Sequence, residues 1–162
     1  MSRLRIFAFI TLIILAFAVT LIGDALAGER GKLVRRLVFH TTTFQSVKVG
    51  DVEGHNLWLV EQKAITFNQK WGAGVVTTTG MGEGDPNGDW TGGGFDHYTF
   101  PDGSTYTYRW EGKGGASGAQ GTWTTVKGTG KLAGMQAHGT WKNYPMGPGQ
   151  SYSDGEGEYT LP

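Results

Sequence analysis

Residues 101 to 113 read Pro-Asp-Gly-Ser-Thr-Tyr-Thr-Tyr-Arg-Trp-Glu-Gly-Lys, and the alternation inside this stretch decides the fold class. Even positions carry Tyr106, Tyr108 and Trp110, while odd positions carry Thr105, Thr107, Arg109 and Glu111. Successive side chains of a strand point to opposite faces, so the segment is a strand with one aromatic and one polar face. Pro101-Asp102-Gly103 before it is a tight turn: proline presets φ, and glycine accepts the positive φ of a hairpin. A hairpin is predicted here, with a strand on each side.

Outward from that hairpin the same pattern repeats. Period-two runs rich in Val, Thr, Tyr, Phe and Trp, broken by Gly, Asn, Asp and Pro, predict strands over residues 33–49, 55–68, 73–81, 92–100, 104–113, 118–127, 135–144 and 153–161. No stretch after residue 28 keeps three-and-four apolar spacing for the length of a helix. The predicted fold is all-β: an eight-stranded antiparallel up-and-down barrel, which leaves no open edge, with a β-sandwich as the alternative. Gly121-Thr122-Trp123 and Gly139-Thr140-Trp141 flank the 128–134 connection as two similar strand edges, too few periods for a solenoid. Glycine inside strands costs stability, so 28 glycines in 162 residues point to bulges and bends where a small barrel curves.

Composition removes whole classes of function. With 14 basic and 14 acidic side chains the chain has no basic excess to displace counterions, so nucleic acid is not an expected partner. The absence of cysteine excludes a disulfide framework, a thiol nucleophile and a zinc-thiolate site. Eight Phe, six Trp and six Tyr are far too many aromatics for a disordered chain.

Arg3 and Arg5, the apolar run over residues 6–22 and Ala25-Leu26-Ala27 read as a secretory signal peptide over residues 1–27. The competing reading is an uncleaved anchor, since the run sits at the lower limit for spanning a bilayer. The expectation is a single barrel domain over residues 28–162, exported to the periplasm or the extracellular medium, with no stable membrane insertion once the leader is removed.

The stretch GTWTTVKGTGKLAGMQAHGTWKNYP (residues 121–145), followed by GEGEYTLP at the C-terminus, resembles the end of the bacterial allene oxide cyclase-like barrel proteins. There a G-T-G-x-[FLY]-A-G-hydrophobic turn leads into a G-[ST]-[GW] strand and a final G-E-G-x-Y strand. The match is clearest over about the last 60 residues. The resemblance implies an eight-stranded calycin-like barrel whose relatives include plant cyclases of a fatty-acid epoxide, dirigent proteins that steer radical coupling, and secreted bacterial proteins of unknown role. It also implies association as dimers or trimers, and it transfers no activity residue by residue. Lipocalins and avidins share only the Gly-x-Trp pattern at Trp123 and Trp141.

Candidate site residues follow from strand parity. With the aromatic face turned inward, Trp58, Tyr106, Tyr108, Trp110, Trp123 and Trp141 line or fill the interior, giving an apolar cavity with phenol and indole hydrogen-bonding tips. With the other face inward, Arg109 and Glu111 would be buried and would pair or do chemistry. An ion pair outside a strand costs little, which favours the aromatic face inside. Glu61, His97, Arg109 and Glu111 are the polar groups available for catalysis, and His97 and His138 are the candidate general bases, imidazole being the side chain suited to that role. Asp96 and His97, adjacent on a strand, point to opposite faces and form no dyad.

No histidine pair has local metal spacing. Asp85, Asn87, Asp89 and, twelfth from Asp85, Asp96 have the alternating spacing of calcium ligands, but Trp90 stands where the loop needs glycine. No phosphate loop, dinucleotide fingerprint or nucleophile elbow is present, and no cofactor is implied. Two functions remain: an exported barrel binding a hydrophobic or aromatic small molecule, with isomerase or cyclase activity, or a non-catalytic envelope or surface scaffold whose barrel is packed solid. Internal volume separates them.

Overall fold

The computed structural model describes residues 28–162; the predicted leader lies outside the described residues. Eight antiparallel strands follow one another around a closed barrel. They are β1 (Glu29–Lys48), β2 (Asn56–Asn68), β3 (Gly72–Gly84), β4 (Trp90–Thr99), β5 (Thr105–Gly115), β6 (Gly118–Thr129), β7 (Gln136–Gly147) and β8 (Gln150–Leu161). The sandwich alternative is excluded by closure. Gly130–Leu132 forms a single 3-10 turn between β6 and β7.

The expected hairpin around residues 101–103 is present. Phe100 and Ser104 close it through Phe100 N–H to the Ser104 carbonyl at 3.0 Å, and Gly103 has φ of 80°. The strands run longer than the periodicity predicts, most clearly in β3, which continues through Gly82, Glu83 and Gly84 to pair with the start of β4. Glycines there break the apolar alternation without breaking the backbone ladder.

The glycines inside strands stand where neighbouring backbones come closer than a side chain allows, as a tightly curved sheet requires: a Cβ on Gly94 would lie 2.1 Å from the Thr79 carbonyl oxygen and one on Gly121 1.9 Å from that of Glu111. Among the described residues positive φ is confined to nine glycines in turns and at strand ends, and the bulge of β6 against Thr107 and Tyr108 is made by Val126. The strand glycines lie along interior rungs, where paired residues of successive strands face the bore together. One rung reads Trp58, Gly82, Gly92, Gly112, Gly121, Trp141 and Gly155 from β2 to β8. The next reads Val60, Gly80, Gly94, Trp110, Trp123, Gly139 and Gly157. Indole rings pack against these bare stretches: a Cβ on Gly82 would come within 2.4 Å of Trp58, and one on Gly112 within 2.3 Å of Trp141. Glycine therefore sets how close each tryptophan sits to the wall and how much bore remains open.

The two ends of the barrel differ. At the end carrying the β2–β3, β4–β5 and β6–β7 connections, Leu33, Tyr98, Phe100, Tyr106, Leu132, Met135 and Tyr159 form a buried core. Trp71 closes it with edge contacts to Tyr159 at 5.3 Å, Tyr106 at 5.8 Å and Phe100 at 6.2 Å. Each such pair adds about 0.5–1.5 kcal/mol beyond the area it buries. The opposite end, with the loops after β1, β3, β5 and β7, stays open.

Candidate functional site

The open half of the barrel encloses a cavity of about 600 Å³. Its walls are the indoles of Trp58, Trp90, Trp110 and Trp141 with Leu37, Phe39 and Val60, and its mouth is edged by Asp85, Asp89 and Gly149. Two edge-to-face pairs tie the wall rings together: Trp58 on Trp90 at 5.5 Å and 86°, and Trp110 on Trp141 at 6.0 Å and 88°. A site of this size, apolar at its sides, suits a flat or acyl small molecule.

The floor is polar. β1 runs Leu33, Val34, Arg35, Arg36, Leu37, and alternation turns Arg35 inward between the two leucines while Arg36 goes outward to pair with Asp154 at 2.6 Å. Arg35 lies over Gly155, where a Cβ would sit 2.7 Å from its Nε, and its Nη1 donates to the Tyr98 hydroxyl at 2.6 Å. Its guanidinium rests on the rings of Tyr108 at 4.2 Å and Trp123 at 4.5 Å. A buried cation is costly unless solvated by something else; here π-faces and a phenol replace water. The Tyr98 and Tyr108 hydroxyls are hydrogen-bonded to each other.

From β4, the buried Asp96 joins this floor beside its register partner Thr78 of β3, and the buried Ser153 of β8 also lines the cavity. Burial pushes its carboxyl up to about 6, against the lowering pull of Thr78, Arg35 and Trp110. Thr78 Oγ1 and Trp110 Nε1 lie near enough to exert that pull, yet neither completes a hydrogen bond among the described residues, and Asp96 Oδ1 likewise lacks a partner. Desolvation also raises Tyr98 well above the usual phenol range and Tyr106 to about 12, so both are neutral hydrogen-bonding groups at physiological pH. The cavity thus ends in a cation, a carboxyl that titrates close to neutrality, and hydroxyls with capacity to spare.

The predicted residues divide sharply. Trp58, Tyr108, Trp110 and Trp141 line the cavity. Tyr106 and Trp123 do not: both are buried in the packed core, where Trp123 supports Arg35 and donates its Nε1–H to the Thr140 carbonyl at 3.2 Å. None of the four polar candidates for catalysis, Glu61, His97, Arg109 and Glu111, reaches the interior: all lie on the outer face, which for Arg109 and Glu111 is where the inward aromatic face of β5 puts them. Arg109 pairs there with Glu111 at 2.5 Å, His97 Nδ1 meets Thr107 Oγ1 at 2.9 Å, and the Thr43 hydroxyl donates to Glu61 at 3.3 Å.

The calcium arrangement does not assemble either. Asp85 Oδ1 accepts from the backbone N–H of Asn87 at 2.8 Å and Asp89 at 3.0 Å, which folds the loop, while Asp96 sits on the floor of the bore. Among the described residues no group of three His, Asp or Glu side chains is placed to hold a metal ion.

Arg35, Thr78, Trp90 and Ser153 are site residues that the aromatic count missed. The signal for Arg35 was its parity with Leu33 and Leu37, and for Asp96 its parity with Tyr98.

No protein-family model and no curated protein matches the chain. Among solved structures, a pterocarpan synthase dirigent protein superposes with a TM-score of 0.52 over 83% of this chain and 89% of that one, at 10% identity. That likeness is one of fold, and it agrees with the barrel that the C-terminal resemblance implies.

Proposed function

We propose that the chain is an exported barrel of the allene oxide cyclase-like kind that holds one hydrophobic or aromatic small molecule in its bore and acts on it as an isomerase or cyclase. The observation that carries this reading is the cavity itself: about 600 Å³, apolar at the sides, with Arg35 and Asp96 buried at its floor. A scaffold barrel has no need to leave half its interior unfilled, nor to bury a guanidinium and a carboxyl below the vacancy. The fold likeness to a dirigent protein supports a barrel with a small-molecule site, and the C-terminal motifs support the family.

The chemistry rests on confinement. Four indoles hold a flexible ligand in one shape and keep water out, which lowers the entropic barrier to a ring closure or a shift of a double bond. Asp96 in its protonated form gives a proton to an oxygen on which negative charge develops, with the Arg35 charge close by, and recovers a proton from the same ligand later, so the net change is an isomerisation.

The test is titration of intrinsic tryptophan fluorescence with fatty acids, terpenoids and phenols. With four tryptophans on the cavity wall, binding shifts or quenches emission; no response to any member of the panel overturns the reading.

A further inference from the structure

The cavity does not end at the rim. A second depression of about 710 Å³ lies over the outside of the barrel wall, and the two share Asp85, Asp89, Trp90, Ala119 and Asn143. The rim between them is low: Gly114, Gly115 and Gly118 carry no side chains, and Gly114 pairs with Ala119 across β5 and β6. A Cβ on Gly115 would lie 2.3 Å from Asp89 Oδ1, so glycine there lets the β3–β4 loop come down against the β5–β6 turn.

The outer depression has a different chemistry from the bore. One outward rung of the barrel runs Glu83, Thr91, Lys113, Gln120 and Lys142 across β3 to β7, each paired with the next in register. All five line the depression, with the ring of Tyr144 at one side and that of Trp90 at the shared mouth. Amide, hydroxyl, ammonium and carboxylate groups at strand spacing offer donors and acceptors in alternation. Glu83 is engaged by His55 at 2.6 Å, and Asp85 and Asp89 balance Lys113 and Lys142, so the depression carries no excess of positive charge to hold a phosphate or carboxylate group, whereas a neutral polyol needs none. Aromatic faces at the edge fit the apolar C–H face of a sugar.

Resting on the cavity reading above, we infer that the ligand is an amphiphilic glycoside, its apolar body in the bore and its sugar laid over the glycine rim onto the Lys113–Gln120–Lys142 rung. The two lysines donate to the sugar hydroxyls, the Gln120 amide donates to and accepts from them, and Trp90 contacts both parts at the bend.

Calorimetric titration of the full barrel with a naphthol and with its β-glucoside tests this. The glucoside is expected to bind about tenfold more tightly than the naphthol, a gain of about 1.4 kcal/mol. The exposed pair of substitutions Lys113→Ala and Gln120→Ala is expected to abolish that gain while leaving naphthol affinity unchanged, which also shows that the variant is folded. Equal affinities, weaker binding of the glucoside, or a gain that survives the double substitution overturns the inference but leaves the cavity reading standing. Binding of neither compound overturns both.

Discussion

Arg35 reaches from β1 across the bore to Tyr98 on β4, 63 residues away in sequence, and its Nη1 donates to the phenol at 2.6 Å. The contact is the partition of the barrel: tyrosines, phenylalanine and Trp71 pack below it, and the cavity lies above. Replacing Arg35 with Met keeps an apolar stem out to about the position of Nε but removes a charged hydrogen bond and two close ring contacts. The loss is about 2 kcal/mol in chemical denaturation, the scale of a buried hydrogen bond to a charged group. The Asp96 carboxyl also loses the one cation that favours its charge, so its titration moves further upward. Arg35→Met combined with Asp96→Leu is expected to cost less than the sum of the two single changes, because an apolar pair leaves no orphaned charge. Strict additivity in that cycle would show that the two residues do not communicate.

Asp96 makes stability depend on pH in an unusual direction. Its carboxyl is raised from 3.8 to about 6 on folding, so the folded state binds the proton more tightly than the unfolded one. The contribution is fully present below the unfolded value and is lost as pH rises through about 6, at a cost of about 3 kcal/mol for a shift of this size. His55, whose Nδ1 and Nε2 meet Asp51 at 2.7 Å and Glu83 at 2.6 Å, is also raised, and its contribution is present below 6.5 and fades as pH rises through the raised value. Asp51, Asp102 and Asp154 are lowered, so their contributions are present above 3.8 and lost only as pH falls through the depressed values. Denaturation midpoints measured from pH 4 to 7 are expected to fall as pH rises. Asp96→Asn flattens most of that slope, and His55→Gln removes only its upper part. A slope unchanged in Asp96→Asn would mean the carboxyl is not the group that titrates.

The barrel was legible in the sequence because turn chemistry and period two are local properties. The orientation of several strands was not, because hydrophobicity points the wrong way in them. In β2 the inward residues are Ala64, Thr66 and Asn68, while the more apolar Ile65 and Phe67 face outward, each more than half exposed. In β4 the pair Phe95 and Asp96 is inverted in the same way, with the carboxylate inside. Strands such as β5, whose aromatic face is buried, can be read from pattern alone; β4 breaks the pattern where Asp96 serves the floor, and the inverted stretch of β2 lies at the packed end, away from the cavity. The glycine rungs were invisible for another reason, since the residues of one rung are brought together only by the register of the closed sheet.

Gly80 is where that register can be tested. A Cβ there would lie 2.5 Å from Cζ2 of Trp110 and 3.3 Å from Val60, and the nearest atoms belong to side chains rather than backbone. Gly80→Ala therefore pushes the Trp110 indole off the wall and into the bore, with an overpacking cost of about 1–3 kcal/mol. Tryptophan emission changes and bound ligand is weakened, because the ring takes cavity space. Adding Trp110→Phe relieves the contact and restores much of the stability. If Gly80→Ala is as stable as the parent, the indole does not rest on that glycine.

Two tryptophans on opposite sides of the partition separate stability from binding. Trp71, half-buried, closes the packed end against Tyr159, Tyr106 and Phe100. Trp71→Ala should cost about 2 kcal/mol, below the ~3–5 of a fully buried aromatic, and the folded fraction that remains should bind as the parent does. Trp58 stands at the mouth, packed on Gly82, Gly92 and the edge of Trp90, and partly exposed. Its removal opens space already adjoining solvent, so Trp58→Ala should cost less stability than Trp71→Ala yet weaken an apolar ligand by about tenfold, the worth of one aromatic contact of about 1.4 kcal/mol. Thermal melts paired with fluorescence titration on both variants give the comparison. The same ranking in both measurements would show that the two halves of the bore act as one packed core and that the division made by Arg35 has no functional meaning.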